Sequence, residues 1–137
     1  MIVREKELIG LLTTMGPYLP IKGFFPAEWL ENPLNIALTD GEGNYALFER
    51  EGLGLVSGHY FMRARGKQAL QLAKEMLHEI FTGPYDVQVI RGLTPTHHKG
   101  ALWMNKRLGF KSYGTIETTV EPYELVILTK SEWEANQ

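Results

Sequence analysis

Arg63-Ala64-Arg65-Gly66-Lys67-Gln68 joins a Gly-punctuated apolar strand, predicted over residues 53–62, to a strongly amphipathic helix predicted over residues 69–81. A helix start leaves unpaired backbone N–H groups with partial positive charge, and a glycine lets an anion come close to the main chain. Pyrophosphate binding is the chemistry this position suits, with the amides of residues 65–68 as its cradle. The competing reading is a plain strand breaker at Gly66 with a solvated basic surface around it. Other chemistries have less support. There is no Gly-x-Ser-x-Gly elbow and no Walker loop. The histidines His59, His78, His97 and His98 show no metal-ligand spacing, because adjacent histidines at a helix start point in different directions; no metal site is expected.

The chain has 137 residues, 44% hydrophobic and 22% charged, which suits one domain over residues 1–137 that buries about two-thirds of its unfolded surface. A net charge of −2 without blocks of like charge offers no field for nucleic acid or an anionic membrane, so neither is expected as a partner. The absence of cysteine excludes disulfides, thiolate metal sites and a cysteine nucleophile, and fits a reducing compartment. The first residues lack a basic segment followed by a long apolar run, and no stretch approaches the roughly 20 residues of a membrane span. The expected location is the cytoplasm.

The elements that must position the loop follow from periodicity. Leu8, Ile9, Leu11 and Leu12 predict a first helix over residues 5–14, ending near Gly16-Pro17. A stretch rich in Pro, Gly and aromatics, residues 18–25, precedes a short second helix over 27–31. Strand-like runs at 34–39, 45–49 and 53–62, joined by turn sequences at 40–44 and 51–52, predict an antiparallel meander. The helix after the loop presents Ala69, Leu70, Ala73, Met76, Leu77 and Ile80 on one face and stops at Gly83-Pro84. Residues 86–90 alternate as a strand, and a helix opens at Pro95 and runs to about Leu108. Strand, helix, strand implies a right-handed parallel crossover. Residues 111–120 and 123–128 predict a closing hairpin, with a terminal helical turn at 131–136. Trp29, Trp103 and Trp133 fall on helices, where packing is expected of them.

Read with Leu108-Gly109-Phe110, the Arg63-x-x-Gly66 loop resembles the acyl-CoA loop (Arg/Gln-x-x-Gly-x-Gly/Ala) of the GNAT superfamily of N-acetyltransferases, and the element order is similar over nearly the whole chain. The resemblance implies an α/β (α+β) fold. In it a central mixed, mostly antiparallel sheet is splayed between two parallel strands and flanked by helices, the first strand being short or absent, since only residues 1–4 are left to form one. It implies acetyl-CoA as co-substrate, with the pantetheine arm in a gap between residues 57–62 and residues 87–91. Phe61, Met62, Arg63, Arg65, Gly66, Lys67 and Gln68 are then cofactor-binding candidates, with Gln68 standing where the family prefers Gly or Ala. In the later family pattern Ala101, Gly109 and Phe110 match, His98 replaces an anchoring Asn, and Asn105 occupies the place of the general-acid tyrosine; His98, Ala101 and Asn105 are further cofactor-binding candidates. An amide cannot supply a proton at neutral pH. Helical spacing puts Ala101, Asn105 and Leu108 on one face. Tyr113 and Tyr123 are the replacement acids considered. His59 is the catalytic base candidate, for its near-neutral pKa and for Gly58 beside it, where a bulge would aim the ring toward the cleft. Glu49 is a second choice.

Two functions follow from the resemblance. One is acetyl transfer from acetyl-CoA to an unidentified amine. The other is a catalytically inactive protein of the same fold, since the chain is also similar to short phage-encoded GNAT-like proteins, some of them associated with the virion. Its partner would then be another protein or the phage particle, in host cytoplasm or virion. The aromatic stretch 18–25 suits either, as an acceptor-site wall or a contact surface.

Overall fold

The strands join in one seven-stranded sheet in the computed structural model, which describes residues 2–4 and 26–137. The helix expected over 5–14 and the aromatic stretch 18–25 lie outside the described residues. The strands are β1 (Val3–Arg4), β2 (Ile36–Thr39), β3 (Tyr45–Gly52), β4 (Gly54–Phe61), β5 (Val87–Pro95), β6 (Lys111–Ile116) and β7 (Tyr123–Thr129), arranged β1-β2-β3-β4-β5-β7-β6. The helices among the described residues are α1 (Pro26–Glu31), α2 (Gly66–Thr82), α3 (Lys99–Leu108) and α4 (Lys130–Ala135). All pairings are antiparallel except that of β4 with β5, which α2 connects. The fold is the mixed α+β arrangement expected, with its first strand reduced to two residues. None of the described helices is long and apolar enough to cross a membrane.

The core forms where the apolar stripe of α2 meets the sheet. Ala69, Ala73, Met76, Leu77, Ile80 and Phe81 are buried along the helix, and all but Ala69 join Leu38, Phe48, Val56, Ile90 and Leu128 of the sheet in one cluster. Trp133 of α4 packs on Phe81 with ring centroids 5.1 Å apart, as its helical position suggested. A smaller cluster covers the other face, where Trp29 and Leu30 of α1 pack toward Ala37, Tyr45 and Leu47. Residues directly opposite in an antiparallel pair share a face. His59, opposite Leu47, therefore lies on the α1 face, and Tyr60, opposite Ala46, on the α2 face.

Four expectations need correction. β5 does not end at Ile90 but continues through Pro95, because β7 supplies a hydrogen-bonded partner along its whole length that no local pattern reveals. α3 starts at Lys99, with Pro95 still in the strand. β6 stops at Ile116, and the following residues turn around Thr118, whose Oγ1 accepts from the amides of Val120 and Glu121 at 3.2 and 3.0 Å. Gly58 holds no bulge: it pairs with Phe48 in unbroken register, and the irregularity of β3 with β4 falls at Arg50–Gly52. Gly58 serves a close approach instead, since a Cβ there would sit 3.0 Å from Ile90 Cγ2 and 3.4 Å from the Phe48 ring.

Leu128 is fully buried in the larger core. Leu128→Ala is expected to lower unfolding free energy by about 2–5 kcal/mol, from lost burial and the cavity left behind, as read from urea denaturation.

Candidate functional site

β4 and β5 pair only from Gly54↔Val87 to Ser57↔Arg91. Beyond that rung the two strands separate. Residues 58–61 stay paired with β3 and residues 92–95 with β7, but not with each other. The gap thus lies beside Gly92–Pro95 and not beside residues 87–91, which are still zipped to β4; the extension of β5 moves it. On the α1 face Glu51 holds the vertex together: Ser57 Oγ donates to Glu51 Oε1, and Arg91 Nη2 lies 3.1 Å from Glu51 Oε2. The Ser57 hydrogen bond and then the Arg91 guanidinium keep the Glu51 carboxyl below the usual carboxylate range.

A cavity of about 710 Å³ occupies the gap, within the size range of small-molecule and cofactor sites. From β4 and the loop it is lined by His59, Tyr60, Phe61, Met62, Arg65 and Gly66, and from β5 by Gly92, Leu93, Thr94 and Pro95. His98, Ala101, Trp103, Met104 and Asn105 of the α3 region close the far side. Trp103 is thus a cavity wall and not core, 38% exposed with the Arg107 guanidinium over its ring at 5.1 Å.

The loop leaves open space at Gly66. Gly66 has φ +59, a left-handed value that disfavours side chains, and a Cβ placed there would meet nothing within 4 Å. α2 has no acidic residue in its first turn and no side chain among the described residues capping its start, so nothing described there compensates the partial positive charge of that end. The amides of Arg63 and Ala64 are spent elsewhere, each donating to Asn44 Oδ1 at 2.9 Å. Asn44 is itself buried, and its Nδ2 donates to Asp40 Oδ2 at 2.9 Å. The β2–β3 turn therefore buttresses the loop from behind. Sequence reasoning missed Asn44, since it lies 19 residues from its partner and a turn asparagine looks ordinary.

Side chains of the loop are placed differently from expectation. The Arg63 stem and guanidinium lie over Gly43, where any Cβ would come within 2.6 Å of Arg63 Cδ and Nε, and they do not line the cavity. Arg65 lines the cavity, yet its guanidinium donates to the carbonyls of Met62 and Ala64. Lys67 and Gln68 are exposed and do not line it, so the bulk of Gln68 stays out. What these two offer the site is backbone N–H in the first turn of α2.

At the start of α3, His98 acts as the N-cap, its Nδ1 accepting from the Ala101 amide at 3.1 Å. The capping that an asparagine would provide is supplied by an imidazole, which in its neutral form then carries its proton on Nε2. Asn105 does point inward, where its Nδ2 donates to Thr94 Oγ1 at 2.9 Å. Thr94 escaped the sequence reading because its strand was expected to end before it.

His59 lines the gap on the α1 face, open to solvent yet partly desolvated. Desolvation lowers its pKa below the ordinary histidine value, with Glu49 and Glu51 pulling it back up. Tyr60, facing the other way, has a buried hydroxyl without a hydrogen-bond partner among the described residues, and burial pushes its pKa up. Tyr113 is 60% exposed on edge strand β6 and does not reach the cavity; nor does Tyr123, whose hydrogen bond to Glu121 raises its pKa. Among the described residues no group of three His, Asp or Glu side chains is arranged to hold a metal ion.

An anionic, extended co-substrate fits what is present: uncompensated amides at one end, a glycine without obstruction, and a gap between two strand edges leading away from them. This combination of sheet, parting and helix-start loop defines the fold of the GNAT acetyltransferases. Among solved structures the chain is similar to the F149A mutant of spermidine N-acetyltransferase SpeG from Vibrio cholerae, with TM-score 0.77 at 9% identity, covering 97% of this chain and 96% of that one. A dodecameric structure of the V. cholerae spermidine N-acetyltransferase in an intermediate state matches with TM-score 0.77 at 12% identity, covering 100% and 97%. A protein of Acinetobacter baylyi ADP1 matches with TM-score 0.69 at 15% identity, covering 94% and 92%. No family model and no curated protein sequence matches the chain.

Asn44→Ala is expected to destabilise the fold by about 1–3 kcal/mol by stranding two loop amides, and to speed hydrogen exchange at Arg63 and Ala64 specifically. For His59, a folded-state pKa below the unfolded one means that the unfolded chain binds more protons as pH falls. Stability is thus lost as pH drops from the ordinary histidine value of about 6.5 through the lower folded value. NMR titration should place the His59 midpoint below that of a free histidine, and Glu49→Gln should lower it further by removing a charge that favours the imidazolium.

Proposed function

We propose that this protein is an acyl-CoA-dependent N-acyltransferase that transfers an acetyl group from acetyl-CoA to an amine. One observation carries the reading: a single cavity runs from the uncompensated start of α2, past Gly66, into the gap where β4 and β5 part. In this reading the amides of residues 65–68 hold the pyrophosphate, and Phe61 and Met62, which line the cavity, border the pantetheine arm. His98 and Ala101 border the same space. When bound, acetyl-CoA supplies an activated acyl carbon, and this chain contributes position and charge around it. Neutral at pH 7 because of its lowered pKa, His59 is able to take a proton from the attacking amine, directly or through water. The amine reaches it from the α1 face, the side opposite α2. Tyr113 has no part in this arrangement.

The matched solved structures support an amine acceptor, since spermidine N-acetyltransferases are among them. A second reading, a non-catalytic role for the same fold, is favoured by the amide of Asn105 in place of an acidic hydroxyl.

Isothermal titration of acetyl-CoA distinguishes the two. Binding in the micromolar range is expected for the unaltered protein. Gly66→Glu should weaken it by about 100-fold or more, because like charges placed together cost several kcal/mol. An absence of heat at millimolar acetyl-CoA would overturn the acyltransferase reading.

A further inference from the structure

We propose that the Thr94 hydroxyl, held by Asn105, is the hydrogen-bond donor to the sulfur of a thioester in the cavity, and so stabilises the thiolate that leaves. The inference rests on the acyltransferase reading above and adds the group that faces the leaving sulfur.

Thr94 is only 9% exposed, and it lines the cavity. Its Oγ1 already accepts from Asn105 Nδ2 at 2.9 Å, so one lone pair is occupied and the hydroxyl proton is turned away from Asn105. No acceptor for that proton is found among the described residues. Thr94 also sits where the sheet has opened: it lies three residues beyond the last β4–β5 rung, in the part of β5 paired only with β7. Alternation along β5 puts it on the same face as Ile90, toward α2 and α3, which its bond to Asn105 confirms. His59 lines the same gap from the opposite face. A group that takes a proton and a group that donates a hydrogen bond thus flank the gap from its two sides.

The reaction balances without an acid of ordinary strength. The amine nitrogen forms a bond to the acyl carbon, and the carbon–sulfur bond breaks with its electron pair remaining on sulfur. The amine proton passes to His59 or water. Thr94 keeps its own proton, because an alcohol does not ionise at neutral pH, and gives the sulfur a charge-assisted hydrogen bond. The thiolate later takes a proton from water. Asn105 is a positioning residue in this scheme: it cannot act as the acid, but it fixes which way the hydroxyl points.

The test uses coenzyme A and follows the ionisation of its bound thiol by ultraviolet thiolate absorbance as pH is raised. His59, Tyr60, Arg65 and His98 are the titratable groups lining the cavity, and all remain in the variants. The unaltered protein should lower the thiol pKa relative to free coenzyme A. Thr94→Val should raise it by about one unit, a tenfold loss of thiolate preference, as expected for one hydrogen bond to a charged group. Affinity for the neutral thiol form at pH 7 should stay within about twofold, since the hydroxyl discriminates in favour of charge. Thr94→Ser should restore the wild-type value, which a purely steric role would not require. If Thr94→Val is unstable because the Asn105 amide is stranded, Thr94→Val/Asn105→Leu removes both polar partners and should give the same shift. Bound coenzyme A with an unmoved thiol pKa overturns the proposal and leaves the acyltransferase reading intact; failure of the unaltered protein to bind coenzyme A overturns both.

Discussion

Everything at the site depends on the last hydrogen-bonded rung between two parallel strands, Ser57↔Arg91. Strand interiors carry one N–H and one C=O per residue, and these groups need partners. Past this rung the inner edges of β4 and β5 have none from each other, and Pro95 removes one donor from the exposed edge. The parting is therefore sustained by the packing around it: α2 and α4 on one face, α1 on the other, and β3 and β7 zipped along the outer edges. Glu51 marks the vertex, bonded to both members of the last rung, although an exposed ion pair of this kind adds little energy by itself. Two strand edges facing each other across a gap are a place for an extended ligand that behaves, in hydrogen-bonding terms, as a short strand.

The loop at the mouth of the gap shows how separate segments share one task. α2 supplies orphan amides and a dipole; Gly66 supplies a backbone conformation without a side chain in the way. The two residues just before them are pinned by Asn44, which is anchored by Asp40 in a turn of the neighbouring hairpin. Fixing the loop from behind means that its free amides are already oriented before any ligand arrives, so less ordering entropy opposes binding.

The sheet also divides the chemistry by side. His59 and Leu93 face the α1 side of the opening, while Tyr60, Thr94 and Asn105 face the α2 side. A strand's alternation places neighbouring residues on opposite faces, so His59 and Tyr60, adjacent in the chain, meet different environments. One is partly desolvated beside two carboxylates, and the other has a buried hydroxyl with no partner among the described residues.

Local information was enough for the order of the described elements, because helix and strand periodicities, the Gly-Pro stops and the turn sequences are written in short windows. The stripe of α2 and the loop at Gly66 were legible in this way, as were the inward-facing Ala101 and Asn105. What the sequence could not determine were the features that depend on a partner distant in the chain. β5 runs to Pro95 because β7, some thirty residues later, pairs with it, and that extension alone moved the gap and brought Thr94 into the site. Asn44 reaches Arg63 and Ala64 across 19 and 20 positions, and Arg63 turns onto Gly43 and away from the cavity. Tyr113 carried a plausible chemical identity, yet edge strand β6 leaves it in solvent. Residue type and spacing determine what chemistry a chain can offer; hydrogen-bond pairing between remote strands, which no local pattern encodes, decides which of those groups share a cavity.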